Sequence, residues 1–370
     1  MATFVTGATG FVGRHVVSKL LSAGEEVVLL VRAPDRTAAR KKIEHALAPV
    51  AGDANTFGKQ MTICLGSLSD AGLGLHAKDR EEIVARCDAF LHSAAHVRFD
   101  APIEQARAIN VGGTASLLAL ARERDRKHGI RRIDYVSTAF VAGNRTGLVR
   151  EAELDGRAGH RNSYELTKYE AEIDVRSASR DLPVAVYRPS IIVGDASTGA
   201  TSSFNMIYWP ARVYANGVWR ICPGRPSTPI DLVPVDFVRD AIVALRSMPQ
   251  SIGRTFHLAG GPAGSVTLAE MAGVLMECFP GRRPVRFVNA APWMRYVHPV
   301  LKRVTLGKTR RIISAGEVYV PYFGQNPQFD NSGAVELLSS AGIGIPAARD
   351  YVRRLFRYCI ESDWGRRPAA

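Results

Sequence analysis

The sequence has no CxxC pair, no internal repeat, no low-complexity tract and no apolar run long enough to cross a bilayer. Its cysteines (Cys64, Cys87, Cys222, Cys278, Cys359) are scattered and odd in number, so neither a disulfide framework nor a zinc knuckle is expected. A reducing, cytoplasmic setting follows from that usage. The N-terminus enters an apolar strand at once (MATFVTG), without a basic region or cleavage site, so no exported or membrane-spanning segment is expected. No nucleic-acid module signature is present, and nucleic acid is not an expected partner. Charged residues make up only 22% of the 370 and hydrophobic ones 46%, which excludes general disorder. That length holds one large domain or two modest ones. Acidic residues are the scarcer charge, 35 against 48 Lys+Arg, for a net +13. Such a surplus suits nucleic acid, an anionic membrane surface or an anionic substrate, and charge alone does not choose among them.

The first 190 residues alternate short apolar runs with longer helical patterns, the signature of βαβ units and a parallel sheet. Strands are expected at 3–6, 26–31, 61–65, 89–92, 133–136 and 184–187, and most are continuously hydrophobic, as strands covered on both faces are. Helices are expected at 12–22, 103–126 and 164–179. Beyond Asp195 the periodicity weakens and Gly, Pro and Ser become frequent. The expected fold is therefore α/β: a Rossmann-type doubly wound parallel sheet over residues 1–195, with 230–258 returning to it. Residues 196–229 and 259–370 are expected to form a smaller, mainly helical substrate-binding cap, with helices near 267–279, 292–304 and 346–362.

Thr6-Gly7-Ala8-Thr9-Gly10-Phe11-Val12-Gly13 follows the first strand directly and opens the first helix, the context a dinucleotide site requires. Glycines at 7 and 10 let the backbone turn sharply toward a pyrophosphate, Gly13 permits close helix–strand packing, and the helix N-terminus supplies amide donors. At the tip of the second strand, VVLLVRAPDR offers Arg32 where an NAD site has an acid, which favours the 2′-phosphate of NADP(H). Asp35 is the nearby acid that would favour a ribose instead.

Tyr164 and Lys168 stand at i and i+4, one helical turn apart. A lysine cation beside a phenol favours the phenolate and is expected to lower the tyrosine pKa. In Val136-Ser137-Thr138-Ala139-Phe140, at a predicted strand end, a hydroxyl can polarise a carbonyl oxygen together with that tyrosine. Asn110, near the start of the long central helix, is placed to hold a water or a backbone carbonyl behind the lysine.

Taken in order, TGATGFVG, LHSAAHVRFD, NVGGT, YVSTAFVAG, YxxxK and YRPSIIVGD resemble the extended short-chain dehydrogenase/reductases. More narrowly, HSAAHVRFD, STAFVAG, RPSIIVGDASTG and IDLVPVDFVRDAI look like the branch of fatty acyl-CoA reductases and thioester reductase domains. The resemblance implies that Gly7, Thr9, Gly10, Phe11, Val12 and Gly13 hold the pyrophosphate and that Arg32 meets the 2′-phosphate. It places Ser93, Ala94, Ala95, Pro189 and Ile191 along the cofactor and Thr138, Tyr164 and Lys168 as the catalytic triad, Lys168 also bridging the nicotinamide ribose. Ser67 departs from the aspartate many relatives have beside the adenine, leaving Leu68 to stack there. The implied reaction is NADPH-dependent reduction of an acyl thioester, on coenzyme A or an acyl carrier protein, to an aldehyde and onward to an alcohol. Reduction of a ketone or aldehyde, or oxidation of an alcohol, on a free small molecule is the alternative, and a non-catalytic NADP(H) sensor a third reading. No adenylation or carrier domain precedes Met1, so the thioester is expected to arrive on a separate molecule.

Three features are read as structural. His92 and His96 fall across a strand end and loop without a matching carboxylate or cysteine, so no metal site is expected. Phe356, Cys359 and Ile360 form a packing stripe. The amphipathic segment 292–304 reads as a cap helix, with a membrane-surface contact as its alternative. Phe204, Tyr208, Trp209 and Trp219 lie where the family faces its substrate. Oligomeric state is left open by the sequence.

Overall fold

Runs of aliphatic residues buried on both faces build the first strands, and the intervening amphipathic segments build the helices that cover them. The computed structural model describes residues 2–51, 58, 60–218, 220–324 and 326–367; Trp219 lies outside them. In chain order come β1 (Ala2–Thr6), α1 (Phe11–Ser22), β2 (Glu26–Val31), α2 (Arg36–Ala51), β3 (Met61–Leu65), α3 (Ala77–Arg86) and β4 (Cys87–His92). These are followed by α4 (Ile103–Arg107), α5 (Gly113–His128), β5 (Arg132–Val136), β6 (Leu148–Val149), α6 (Ser163–Ala178) and β7 (Val184–Pro189). Then come β8 (Ile191–Val193), α7 (Tyr208–Ala215), β9 (Ile221–Pro223), β10 (Pro229–Ile230), β11 (Leu232–Pro234), α8 (Val235–Arg246) and β12 (Thr255–Leu258).

Seven strands form one parallel sheet in the order β3-β2-β1-β4-β5-β7-β12. The direction of winding reverses between β1 and β4, and a crevice opens outside the carboxyl ends of strands at such a point. On one face α1 and α8 pack through Val17, Leu20, Leu21, Phe237 and Ile242. On the other, α5 and α6 bring Leu117, Ala121, Ala171 and Val175 against Phe4, Phe90 and Tyr135. The doubly wound sheet expected from the sequence is the one that forms.

Two details depart from expectation. The helix expected over 103–126 is broken by a π-helical turn at Ala108–Gly112, where Asn110 is drawn into bonds with two other segments. Such turns accompany functional positions. Within the region expected to form a cap, helix Ser332–Ser340 instead rests on the sheet domain. Its Ala334 and Leu338 are buried in the cluster of α1 and α8, because the buried Glu151 carboxylate accepts the Gly333 and Ala334 amides at 2.9 and 3.1 Å.

The rest of the C-terminal region packs around β8, α7 and β10, with Phe140, Tyr208, Leu268, Tyr351 and Phe356 in a separate apolar cluster. Phe356 and Cys359 are buried there, while Ile360 is 41% exposed and lies off the packing stripe.

Candidate active site

Gly7 ends β1 at φ +83°, a conformation that L side chains rarely adopt. A Cβ there would lie 2.5 Å from the Ala94 amide nitrogen, so the loops after β1 and β4 meet only because that side chain is absent. A Cβ on Gly13 would fall 2.1 Å from the Gly7 carbonyl oxygen, which fixes the start of α1 against the turn. The N-terminus of α1 has no side-chain cap and no acid in its first turn. Its amides are left for an anion, and the dipole favours one there. The cradle thus fits a pyrophosphate. Thr9 and Phe11 are half-buried at its rim. Ser93 and Ala94 border it from the β4 side, where their amides donate to the Thr6 carbonyl and hydroxyl at 3.2 and 3.4 Å.

At the tip of β2, Arg32 is exposed, and among the described residues it forms no ion pair. Two neighbouring arginines are committed elsewhere. Arg36 binds Asp79 at 2.6 Å, and Arg40 binds Glu44. Asp35 accepts the Ala38 amide at 2.7 Å at the start of α2, so the competing acid is turned toward its own helix. Leu68 packs on Gly113, where a Cβ would come within 2.8 Å of it, and borders the apolar cluster on that face.

Thr138, Tyr164 and Lys168 converge at the carboxyl end of β5. Of the two hydroxyls at that strand end, Ser137 donates to the buried Glu172 carboxylate at 2.6 Å, which is also clamped by Arg188. Thr138 is the one that faces the Tyr164 phenol. Burial pushes the Tyr164 phenol up to about 12, partly offset by the neighbouring Thr138 hydroxyl. The expectation that Lys168 lowers the tyrosine is therefore not met. The Lys168 ammonium donates instead to the Tyr135 hydroxyl at 2.8 Å and the Val136 carbonyl at 2.9 Å. Desolvation outweighs the nearby charge of Glu172 and brings Lys168 down to about 7.

Asn110 holds a backbone carbonyl, as expected, but that of His96. Its Nδ2 donates to His96 O at 3.1 Å and to the Thr167 hydroxyl at 2.9 Å, while its Oδ1 accepts the His96 amide at 2.7 Å. It ties the β4 loop to α6 beside Lys168. His92 is buried with both ring nitrogens engaged, by Thr6 at 2.6 Å and Thr114 at 3.0 Å.

Sequence reasoning placed Trp209 on the substrate side but missed the rest of the aromatic wall. Phe99 lies 6.0 Å from the Tyr164 ring and stacks on Tyr322 at 5.6 Å; Tyr319 stacks on Trp209 at 5.3 Å. The Tyr322 hydroxyl donates to Glu165 on α6 at 2.6 Å and receives a bond from Asn162 at 2.8 Å. Behind this wall lies a cavity lined almost wholly by apolar side chains, among them Trp209, Met271, Leu275, Phe287 and Tyr319. Ile191, expected along the cofactor, lines this cavity from the buried start of β8. Pro189 is buried at the end of β7 beside Leu258. Aromatic density in VYVPYFG was the sequence signal for Tyr319 and Tyr322.

A family model described as Male sterility protein matches residues 5–242. The fatty acyl-CoA reductase wat of Drosophila melanogaster is 31% identical over 276 residues, covering 65% of this chain and 53% of that protein. The nonribosomal peptide synthetase asaC of Aspergillus flavus is 31% identical over 271 residues, 69% of this chain and 26% of that one. The chain thus spans about half the length of the first relative and a quarter of the second. Among solved structures, the terminal R domain of the myxalamid PKS-NRPS pathway superposes with a TM-score of 0.83 at 25% identity, covering 98% of this chain and 91% of that one.

Proposed function

The chain belongs to the male sterility protein family, and from that premise we propose that it reduces acyl thioesters, carried on coenzyme A or on an acyl carrier protein, to aldehydes at the expense of NADPH. The observation that carries the reading is Thr138 facing Tyr164, with Phe99 linking that phenol to the aromatic wall of an apolar cavity suited to an acyl chain.

The loop from Gly7 to Gly13 and Arg32 would hold NADPH, which would supply the hydride. The chain's own residues handle the oxygen and the proton. Thr138 and Tyr164 present two hydroxyl donors to the thioester carbonyl, and donors fixed in advance stabilise the oxyanion as it develops. With its pKa near 12, Tyr164 keeps its proton at neutral pH and gives it up only to a strongly basic oxygen. That is the state a reductive general acid needs. The hemithioacetal then collapses to aldehyde and thiol. The cavity behind Phe99 and Tyr319 takes the acyl chain, and its apolar lining favours aliphatic groups. The wealth of basic residues suits an anionic donor.

The test is NADPH oxidation followed at the nicotinamide absorbance against acyl-CoA, carrier-bound acyl thioester, aldehydes and ketones, with free thiol assayed in parallel. Oxidation matched by thiol release supports the reading. Turnover of ketones alone would replace it with carbonyl reduction on the same scaffold.

A further inference from the structure

We propose that the outer face of the segment 293–306 docks on an anionic lipid bilayer. The π-helical turn Trp293–Val297 runs directly into helix His298–Val304, and helix Gly307–Gly316 follows. The inward side of this pair, through Trp293, His298, Ile312 and Ile313, walls the apolar cavity. The outward side is also apolar. Tyr296, Val300, Val304 and Leu306 are 62%, 57%, 66% and 78% exposed. The first three are spaced by four residues and form one stripe along the helix. A helix that only covered a domain would be polar on that side.

Charge selects the occupant. From Cys278 to Gly316 the sequence has no aspartate or glutamate and nine lysines and arginines. Arg295, Arg303, Arg310 and Arg311 are exposed, and among the described residues none of them enters an ion pair. Lys302 is held by Glu317 at 2.8 Å, just beyond the acid-free stretch. An acidic carrier protein would satisfy the cations but leave the aliphatic stripe in water. A bilayer interface satisfies both, with the stripe at the acyl boundary and the cations among anionic headgroups. Docking this wall on a membrane sets the cavity against a reservoir of acyl chains. That consequence rests on the reductase reading, whereas the docking itself does not.

The test is flotation of the full chain with vesicles of phosphatidylcholine, alone or with one third phosphatidylglycerol, at low and high salt. The protein is expected to float with the anionic vesicles at low salt and to be released by salt. Tyr296→Ser/Val300→Ser/Leu306→Ser is expected to abolish flotation at every salt concentration. Arg303→Glu/Arg310→Glu/Arg311→Glu is expected to remove the preference for anionic lipid, each lost cation costing about fivefold in partition. Thermal melting of both variants checks that these exposed substitutions leave the fold intact. The proposal is overturned if the unmodified chain stays with the soluble fraction at low salt, or if both variants float as it does. It is also overturned if neither vesicle binds while the variants lose turnover on a carrier-bound thioester, for the surface then belongs to a protein partner. Flotation reads no turnover, so its failure is separable from failure of the reductase reading.

Discussion

Lys168 points its ammonium at the Tyr135 hydroxyl, 2.8 Å away, and stands 4.2 Å from the centre of that ring. The i, i+4 spacing puts Lys168 on the face of Tyr164, yet its bonds run to β5. Tyr135 therefore sets where the cation waits. Its own hydroxyl is held far from ionisation by burial, so it accepts from the ammonium as a neutral phenol.

The first prediction concerns pH. Because burial lowers Lys168 to about 7, the ammonium is present below that pH and lost as pH rises through it. If turnover needs the charge, kcat/KM falls above about pH 7, where an ordinary lysine would hold to beyond pH 10. Tyr135→Phe removes a bond to the charged form, so the falling limb is expected to move to lower pH and kcat/KM to drop about tenfold. A limb that stays in place would remove Tyr135 from this role.

Tyr164→Phe is expected to abolish turnover while leaving the NADPH dissociation constant, read by fluorescence titration, nearly unchanged. Thr138→Ala keeps the phenol but loses a donor, and a fall in kcat of about a hundredfold is expected. Retained turnover in Tyr164→Phe would end its assignment as the acid.

Arg32→Glu should weaken NADPH binding far more than NADH binding, since only NADPH carries a 2′-phosphate. Titration of both cofactors against both proteins gives the ratio. An unchanged preference would move the phosphate site away from the tip of β2.

Gly13→Ala forces a Cβ into backbone, 2.1 Å from the Gly7 carbonyl. Overpacking of this kind costs about 1–3 kcal/mol, and a lowered melting temperature with at least tenfold weaker NADPH binding is expected. Wild-type affinity in that variant would show that the loop can shift without loss.

The parts of this molecule legible in the sequence are those fixed by local pattern. Unbroken apolar runs announced β1, β2 and β4, the glycine spacing announced the loop, and Tyr164 with Lys168 announced a shared helical face. What stayed hidden depends on long-range bonds. The π-helical turn at Asn110 exists because that side chain reaches His96 and Thr167, neither of them local to it. Asp134, buried inside β5, is held by Arg132 and by Arg246 from the far end of α8. Spacing told which face Lys168 occupies but not its rotamer. Nor did it tell that burial would raise the Tyr164 phenol, since both depend on what surrounds the site in space.

The bond from Tyr322 to Glu165 joins the cavity wall to the residue next to Tyr164 in sequence. Enlarging or narrowing the cavity near that wall is therefore expected to disturb the helix that carries Tyr164. Variants selected for a different acyl group should show correlated changes in turnover number, and a screen that scores only substrate preference will keep recovering slow enzymes. Second substitutions that restore speed are to be sought around Glu165, Arg161 and Asn162, outside the cavity.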